Sequence, residues 1–166
     1  MRFCLFVYLY ILSLSSYAQT WSKSSADSLL SAINKTPKKQ DFAYHLDRYT
    51  SLNSKSQALF EYLLEKTKST PSLAYIHGNL YAKFGQYHYL RDQKNLETAL
   101  EYYQKAEKYL QEYGLYCESL NIWLGFADQL TQTKGNIPIA EKTLADIYQK
   151  AENENCYDVM ARTEYQ

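Results

Sequence analysis

Apolar residues recur at helical spacing along most of the chain, and polar breaks divide this pattern into segments. Between residues 72 and 91 the apolar side chains follow one another at intervals of three or four, the period of one face of an α-helix. The same spacing predicts helices over residues 26–34, 40–51, 53–68, 96–113, 116–133, 137–153 and 156–166. No stretch shows the strict alternation or the turn dipeptides of a β-hairpin. The pattern therefore predicts an all-α fold.

An alanine recurs at a fixed interval within this pattern. Ala58, Ala99 and Ala140 follow one another at a constant period, and each is followed four positions later by a large residue. Such a repeat is typical of helical hairpins that stack on one another, because one hairpin alone cannot bury its apolar face. We therefore expect the three alanines to face inward in equivalent surroundings.

Two glycines predict particular features of the fold, a close approach of two helices and a helix end. Gly78 lies inside the predicted helix of residues 72–91, where a glycine costs about 1 kcal/mol relative to alanine. We interpret it as a position that a neighbouring helix approaches closely. Gly114 follows the helix predicted over residues 96–113 and is a natural C-terminal stop.

Residues 1–18 have the composition of a cleavable export signal. Arg2 supplies a positive end, about twelve apolar residues follow it, and the segment ends in Ser-Tyr-Ala, the small-x-small form that signal peptidase accepts. The apolar run is too short to cross a bilayer core of about 30 Å as a helix; an uncleaved anchor is the alternative. We expect cleavage after Ala18, a linker over residues 19–25, and a mature protein that is periplasmic or secreted and has no membrane span.

Cys117 and Cys156 are the cysteines that follow the predicted signal. In an oxidising compartment two cysteines can form a disulfide. These two fall at nearly equivalent places in successive hairpins, where neighbouring helix axes lie about 8–10 Å apart. Because a disulfide requires Cα atoms about 4.4–6.8 Å apart, we expect two buried free thiols.

The residues around Gly78 resemble the tetratricopeptide repeat family. That repeat has Gly-x-x-Tyr in its first helix and Ala-x-x-x-aromatic in its second. Here Gly78 and Tyr81 match the first piece, and Ala99 and Tyr103 match the second. The likeness begins near position 40, but the alanine period, about 41, is longer than the family's and the expected Trp is absent, so armadillo or HEAT-type pairs also fit. The resemblance implies a right-handed α-solenoid of stacked antiparallel hairpins.

The resemblance also implies a binding groove, because the first helices of such hairpins line a concave surface that receives extended or helical peptides. The implied groove positions are Tyr75, Asn79, Ala82 and Lys83, with Gln129 and Gln132 at comparable places in the next unit. Asn79 would hold a peptide main chain through its donor and acceptor, and Lys83 would meet a carboxylate. Tyr75 would supply an aromatic anchor.

A signal that ends in Ala-Gln followed by such repeats is similar to exported proteins of Bacteroidetes-type bacteria. We therefore expect residues 26–166 to form an exported, non-catalytic scaffold that binds a protein or peptide in the bacterial cell envelope. The alternative hypothesis is a truncated sensory region of a membrane-bound histidine kinase or transcriptional regulator. The repeat domain would then be incomplete at its C-terminus, where apolar residues of the last predicted helix would favour self-association.

Composition and motifs narrow the remaining classes. The chain has 18 basic and 18 acidic residues, so no overall charge favours nucleic acid or anionic lipid as a partner. His45, His77 and His88 form no His-x-x-x-His pair, and we expect ordinary surface or boundary histidines without a metal or cofactor. Neither a Gly-x-Ser-x-Gly elbow nor a glycine-rich phosphate loop is present. These observations argue against an enzyme.

Overall fold

The structure is a computed structural model that describes residues 21–35, 57–91 and 95–164. Within these ranges every regular element is helical and no strand occurs, so the all-α prediction is confirmed for this part of the chain. The helices are α1 (Lys23–Asn34), α2 (Gln57–Thr67), α3 (Ala74–Arg91), α4 (Leu96–Glu112), α5 (Tyr116–Thr131), α6 (Ile137–Asn153) and α7 (Tyr157–Glu164). The predicted export signal and the helix predicted over residues 40–51 lie outside the described residues.

The chain divides into two compact units, residues 1–59 and residues 60–166. In the first unit α1 begins at Lys23, earlier than the sequence pattern predicts, because Ser22 caps it. The Ser22 hydroxyl accepts a hydrogen bond from the Ser25 backbone N–H at 3.1 Å, and the Ser25 hydroxyl accepts one from the Ser22 backbone N–H at 3.1 Å. This reciprocal capping satisfies two of the backbone donors that a helix start leaves unpaired.

Residues in the left-handed conformation end two helices of the second unit. Gly114 has φ +72 after α4, as predicted for a C-terminal stop, and the Leu115 N–H donates to the Leu110 carbonyl at 2.9 Å. Asn155 has φ 57 after α6. Two 3₁₀ segments, Pro71–Leu73 and Lys134–Asn136, lead directly into α3 and α6.

Two glycines of α3 bring that helix against α4. A Cβ atom added at Gly78 would lie under 3.0 Å from three carbons of the Leu110 side chain. One added at Gly85 would lie 3.0 Å from the Tyr103 ring and 3.1 Å from the Ala99 carbonyl oxygen. Glycines two helical turns apart share one side of a helix, and they meet α4 residues in reverse order, so α3 and α4 are antiparallel. The prediction that Gly78 marks a close helix approach is confirmed.

The α3–α4 contact continues into an apolar core shared with α5 and α6. Ala99 and Ala140 are both fully buried in one cluster, in which the Tyr103 ring stacks on Phe126 with centroids 4.2 Å apart. The inward position expected for Ala58 is wrong, because Ala58 is exposed. On α2 the larger side chains that follow it, beginning with Leu59, form the buried face instead.

Hydrogen bonds join positions of the second unit that are far apart in the chain. The Tyr109 hydroxyl donates to the Lys68 carbonyl at 3.1 Å. Glu107 accepts from Lys150 at 2.8 Å and, through its second oxygen, from the Trp123 indole N–H at 2.8 Å. Because the Glu107 side chain is only 17% exposed, its charge-assisted bonds hold α4, α5 and α6 together more strongly than a surface ion pair would.

A disulfide joins Cys117 and Cys156, so the expectation of two free thiols is wrong. Their Cα atoms are 5.4 Å apart. The expectation compared this distance with the separation of helix axes, about 8–10 Å. That separation does not apply, because Cys156 lies between α6 and α7 rather than on a helix, and the Cα atom of Cys117 lies about 2.3 Å off the axis of α5. The bridge ties the first turn of α5 to the residue before α7, and closing a loop of this size, 39 residues in sequence separation, stabilises a fold by about 4 kcal/mol.

His77 lies in the core between α2, α3 and α4 and is 1% exposed, so the expectation of a surface or boundary residue is wrong for it. Its Nδ1 atom lies 2.7 Å from the Thr67 hydroxyl oxygen, and its ring packs on the rings of Tyr81 and Tyr109. Burial, together with the charge of Lys68, lowers the pKa of His77 to about 4. His88 is half-buried and stacks on Tyr102, and His45 lies outside the described residues.

Replacing Gly78 by alanine tests the close approach of α3 and α4. We expect Gly78→Ala to lower the free energy of unfolding by about 1–2 kcal/mol, because the added methyl overlaps the buried Leu110 side chain and this cost exceeds the gain in helix propensity. Gly125→Ala is the matched control, since a Cβ at Gly125 meets nothing within 4 Å, and it should raise stability by about 0.5–1 kcal/mol. Urea unfolding measures both. Equal stabilisation by the two substitutions would contradict the packing described here.

Burial of His77 predicts that stability falls in mild acid. The unfolded chain takes up a proton as pH falls through the ordinary histidine pKa of 6.5, whereas folded His77 stays neutral until about pH 4. The contribution of neutral His77 to the free energy of unfolding is therefore fully present above about pH 6.5 and is lost as the pH falls below it. The loss amounts to about 2 kcal/mol between about pH 7 and pH 5. His77→Gln should lack this part of the pH dependence in urea unfolding. An identical loss in wild type and variant would refute the assignment.

Candidate functional site

Helix α3 is packed on most of its circumference and keeps one outward stripe. One side of α3 packs on α4 through Gly78 and Gly85. Another side carries buried apolar residues such as Phe84, whose ring stacks on that of Phe60 of α2 with centroids 5.2 Å apart. The half-buried residues between these sides are Tyr75, Asn79, Lys83 and Gln86. Their spacing of three or four positions places them in a single row, and Leu90, which is 64% exposed, continues it. Three predicted groove residues, Tyr75, Asn79 and Lys83, thus lie together.

Side-chain contacts hold the first two residues of this row. The Asn79 Nδ2 donates to the Tyr75 carbonyl oxygen at 2.7 Å, one helical turn back, and this bond does not use Asn79 Oδ1. Burial and the Glu118 carboxylate of α5 raise the pKa of Tyr75, while a hydrogen bond with the Asn79 side chain opposes the shift. Tyr75 is therefore a neutral hydrogen-bonding group near the α3–α5 boundary.

Lys83 supplies the positive charge of the row. Its Nζ donates to Gln86 Oε1 at 3.3 Å, which directs the ammonium group along the helix. Ala82, also expected in the groove, is only 8% exposed and belongs to the core cluster with Ala99 and Tyr103. It therefore supports the row from beneath rather than lining it.

Helix α5 has a corresponding outward row, and α7 adds one residue to it. The α5 row comprises Asn121, Gly125, Asp128 and Gln132, of which Gln132 is exposed at the helix end. Arg162 of α7 donates from Nη1 to Asn121 Oδ1 at 2.7 Å. The rows on α3 and α5 together with Arg162 are called the polar face below. Asn79, Asn121 and Arg162 lie on the alternate helices α3, α5 and α7, and the sequence separation between each and the next is close to the spacing of the alanines.

Gln129 does not lie in this row. It is half-buried, and its side chain forms a hydrogen bond with the Tyr103 hydroxyl. Burial raises the pKa of Tyr103, and this hydrogen bond opposes the rise. The buried Gln129 Oε1 accepts no hydrogen bond within the described residues. Gln129 thus lies at the boundary of the core, while Gln132 is on the polar face.

The sequence interpretation did not identify Asn121 and Arg162. The signal that would have found them is the alanine spacing, because adding about one period to Asn79 leads to Asn121 and adding another leads to Arg162. The offset from Asn79 to Asn121, which is one residue longer than the alanine period, leads from Tyr75 and Lys83 to Cys117 and Gly125, not to Gln129 and Gln132.

The polar face has the groups of a binding surface. Within the described ranges, no three His, Cys, Asp or Glu side chains converge to hold a metal ion. The same ranges contain no helix that is both long and apolar enough to cross a membrane. Amides, a phenol and two cations provide hydrogen-bond donors and acceptors for a ligand. Comparison with protein-family models, curated proteins and solved structures gives no match.

Proposed function

We propose that this chain is an exported, non-catalytic helical-repeat protein of the bacterial cell envelope and that its polar face binds an extended segment of another protein. In this proposal α2–α7 form tetratricopeptide-like hairpins stacked in an α-solenoid, with α3, α5 and α7 as the groove-lining helices. The observation that carries it is the set of Asn79, Asn121 and Arg162 on the alternate helices α3, α5 and α7, in which Arg162 donates to Asn121.

The pairing of helices supports the repeat arrangement. Each of α3 to α6 packs on the next helix in the chain, and α5 also packs on α3 and on α7. Contacts both between neighbours and between alternate helices are the pattern of stacked hairpins, in which each unit covers the apolar side of the one before. The bond from Tyr109 to Lys68 spans the same offset as the alanine repeat and agrees with a nearly constant period.

The chemistry of the polar face supports a peptide ligand. An extended peptide presents N–H and C=O groups along its whole length, and an Asn amide can pair with both. Asn79 and Asn121 lie on neighbouring helices, and each has one amide atom that its intramolecular bond does not use. Lys83 and Arg162 near these amides favour a segment that carries carboxylates.

The disulfide supports an extracytoplasmic location. Disulfides persist in oxidising compartments such as the bacterial periplasm and are rare in reducing ones. The Cys117–Cys156 bridge and the signal-like residues 1–18 therefore favour the same destination by independent arguments.

Selection of short random displayed peptides on the mature protein tests this function. We expect the selected peptides, made synthetically with a fluorophore, to bind Asn79→Ala and Asn121→Ala about fivefold to tenfold more weakly than wild type, since each change removes one hydrogen-bonding amide. Gln149→Ala, an exposed glutamine of α6 away from the polar face, is the control and should bind normally. Failure to enrich any peptide, or full binding by both Asn variants, would sink the proposal.

A further inference from the structure

Helix α7 has little apolar contact of its own with the rest of the fold. It has eight residues, and a helix shorter than about 12 residues is marginal in water unless it packs on other elements. Val159 is its buried residue, whereas others such as Tyr157, which is 69% exposed, face solvent. Burial of one valine does not offset the conformational entropy that is lost when eight residues become ordered. The position of α7 therefore depends on a further bond.

The Cys117–Cys156 disulfide provides that bond. Cys156 immediately precedes α7, and Cys117 lies in the first turn of α5, so the bridge links the start of α7 covalently to α5. The link holds Val159 in an apolar cluster with Leu120 of α5 and Ile147 of α6. These two side chains are 2% and 3% exposed in the folded protein. Departure of α7 from this cluster therefore exposes apolar surface.

The bridge also determines the position of one residue of the polar face. Arg162 of α7 donates to Asn121 Oδ1 of α5 at 2.7 Å. Within the described part of the chain, this hydrogen bond and the disulfide are the two bonds that join side chains of α5 and α7. Because Arg162 is exposed, water competes for its hydrogen bond, and the bond alone holds α7 only weakly. Arg162 therefore stays beside Asn121 through the disulfide.

The two sulfur atoms of the bridge belong to residues of unequal exposure. Cys156 is 3% exposed, whereas Cys117 is half-buried. A dithiol reductant therefore reaches Cys117 more easily: its thiolate bonds to Cys117 Sγ, and the Cys156 sulfur leaves as a thiolate and takes up a proton. The second thiol of the reductant then displaces Cys117 from this mixed disulfide. The products are two cysteine thiols and the oxidised dithiol, so two electrons and two protons pass to the protein.

We propose that the Cys117–Cys156 disulfide is a redox-sensitive switch: reduction by a dithiol releases α7 from α5 and removes Arg162 from the polar face. The packing of α3 on α4 does not involve the bridge, so these helices stay folded when α7 leaves. The release of α7 stands on the contacts above, whereas its effect on ligand binding rests on the proposed function.

Hydrogen–deuterium exchange of the mature protein, before and after reduction with dithiothreitol, tests the release of α7. We expect amides of α7 to exchange about a hundredfold faster after reduction, because the covalent limit on local opening is gone. Amides around Gly78 in α3 should keep their protection. The double variant Cys117→Ala/Cys156→Ala should show the fast exchange without reductant and should not respond to it.

Binding of the peptides selected above tests the effect on the polar face. Oxidised Arg162→Ala keeps the bridge and lacks only the guanidinium group, so it is the matched comparison. Reduced wild type should bind as weakly as this variant, about fivefold to tenfold more weakly than oxidised wild type, because both lack one charged donor at the polar face.

The outcomes separate the switch from the proposed function. Unchanged exchange in α7 after complete reduction would overturn the inference, and so would equal acceleration in α3 and α7, because the bridge would then support the whole unit. Resistance of the folded protein to excess dithiothreitol, measured by thiol titration, would also overturn it. If reduction leaves peptide binding unchanged while Asn79→Ala weakens it, the effect on the polar face is refuted and the proposed function stands. If no peptide binds oxidised wild type, the proposed function fails, and the exchange measurement still decides whether α7 is released.

Discussion

The close approach of α3 and α4 is the constraint on which the second unit depends. Gly78 and Gly85 present bare backbone to Leu110 and Tyr103, so the two helices pack with almost no side chain from α3 between them. Leu110 and Tyr103 are thereby held in the core, and the Tyr103 ring then stacks on Phe126 of α5. One interhelical distance therefore sets the position of the next helix as well. In packing this dense, even a single added methyl group displaces the neighbouring side chains, because protein interiors contain few voids.

The same arrangement decides which residues remain outside. Packing covers α3 on the sides facing α2 and α4, and α5 adjoins it, so the outward row that begins at Tyr75 is left for solvent or a ligand. On α5 fewer residues are buried, and Asn121 and Gly125 lie on its less covered side. Asn79 of α3 and Asn121 of α5 both lie on these less covered sides. The packing of the core thus determines which residues form the polar face.

Periodicity predicts the helices well because each is long enough to repeat its apolar spacing several times, and it also identifies Gly78 as a packing position. It fails at Ala58, where an alanine of the right spacing is exposed because Leu59 and larger neighbours form the buried face of α2. It cannot predict the Cys117–Cys156 bridge, because Cys156 lies between two helices and its position depends on the turn before α7. Burial of His77 likewise depends on Thr67 and Tyr109, which are distant in sequence. The open space beside Gly125, which Gly78 and Gly85 lack, likewise becomes visible only when the neighbours of each glycine are known.

The most direct measurement of the central constraint is a set of nuclear Overhauser effects in solution. The close approach predicts strong signals from the Gly78 α-protons to the Leu110 methyl groups and from the Gly85 α-protons to the Tyr103 ring, because side-chain atoms of α4 fill the space beside each glycine. Observation of both pairs would place α3 and α4 at the distance and in the antiparallel order described here. Absence of both pairs in a folded, helical protein would show that the glycines do not bring these helices together and would contradict the account.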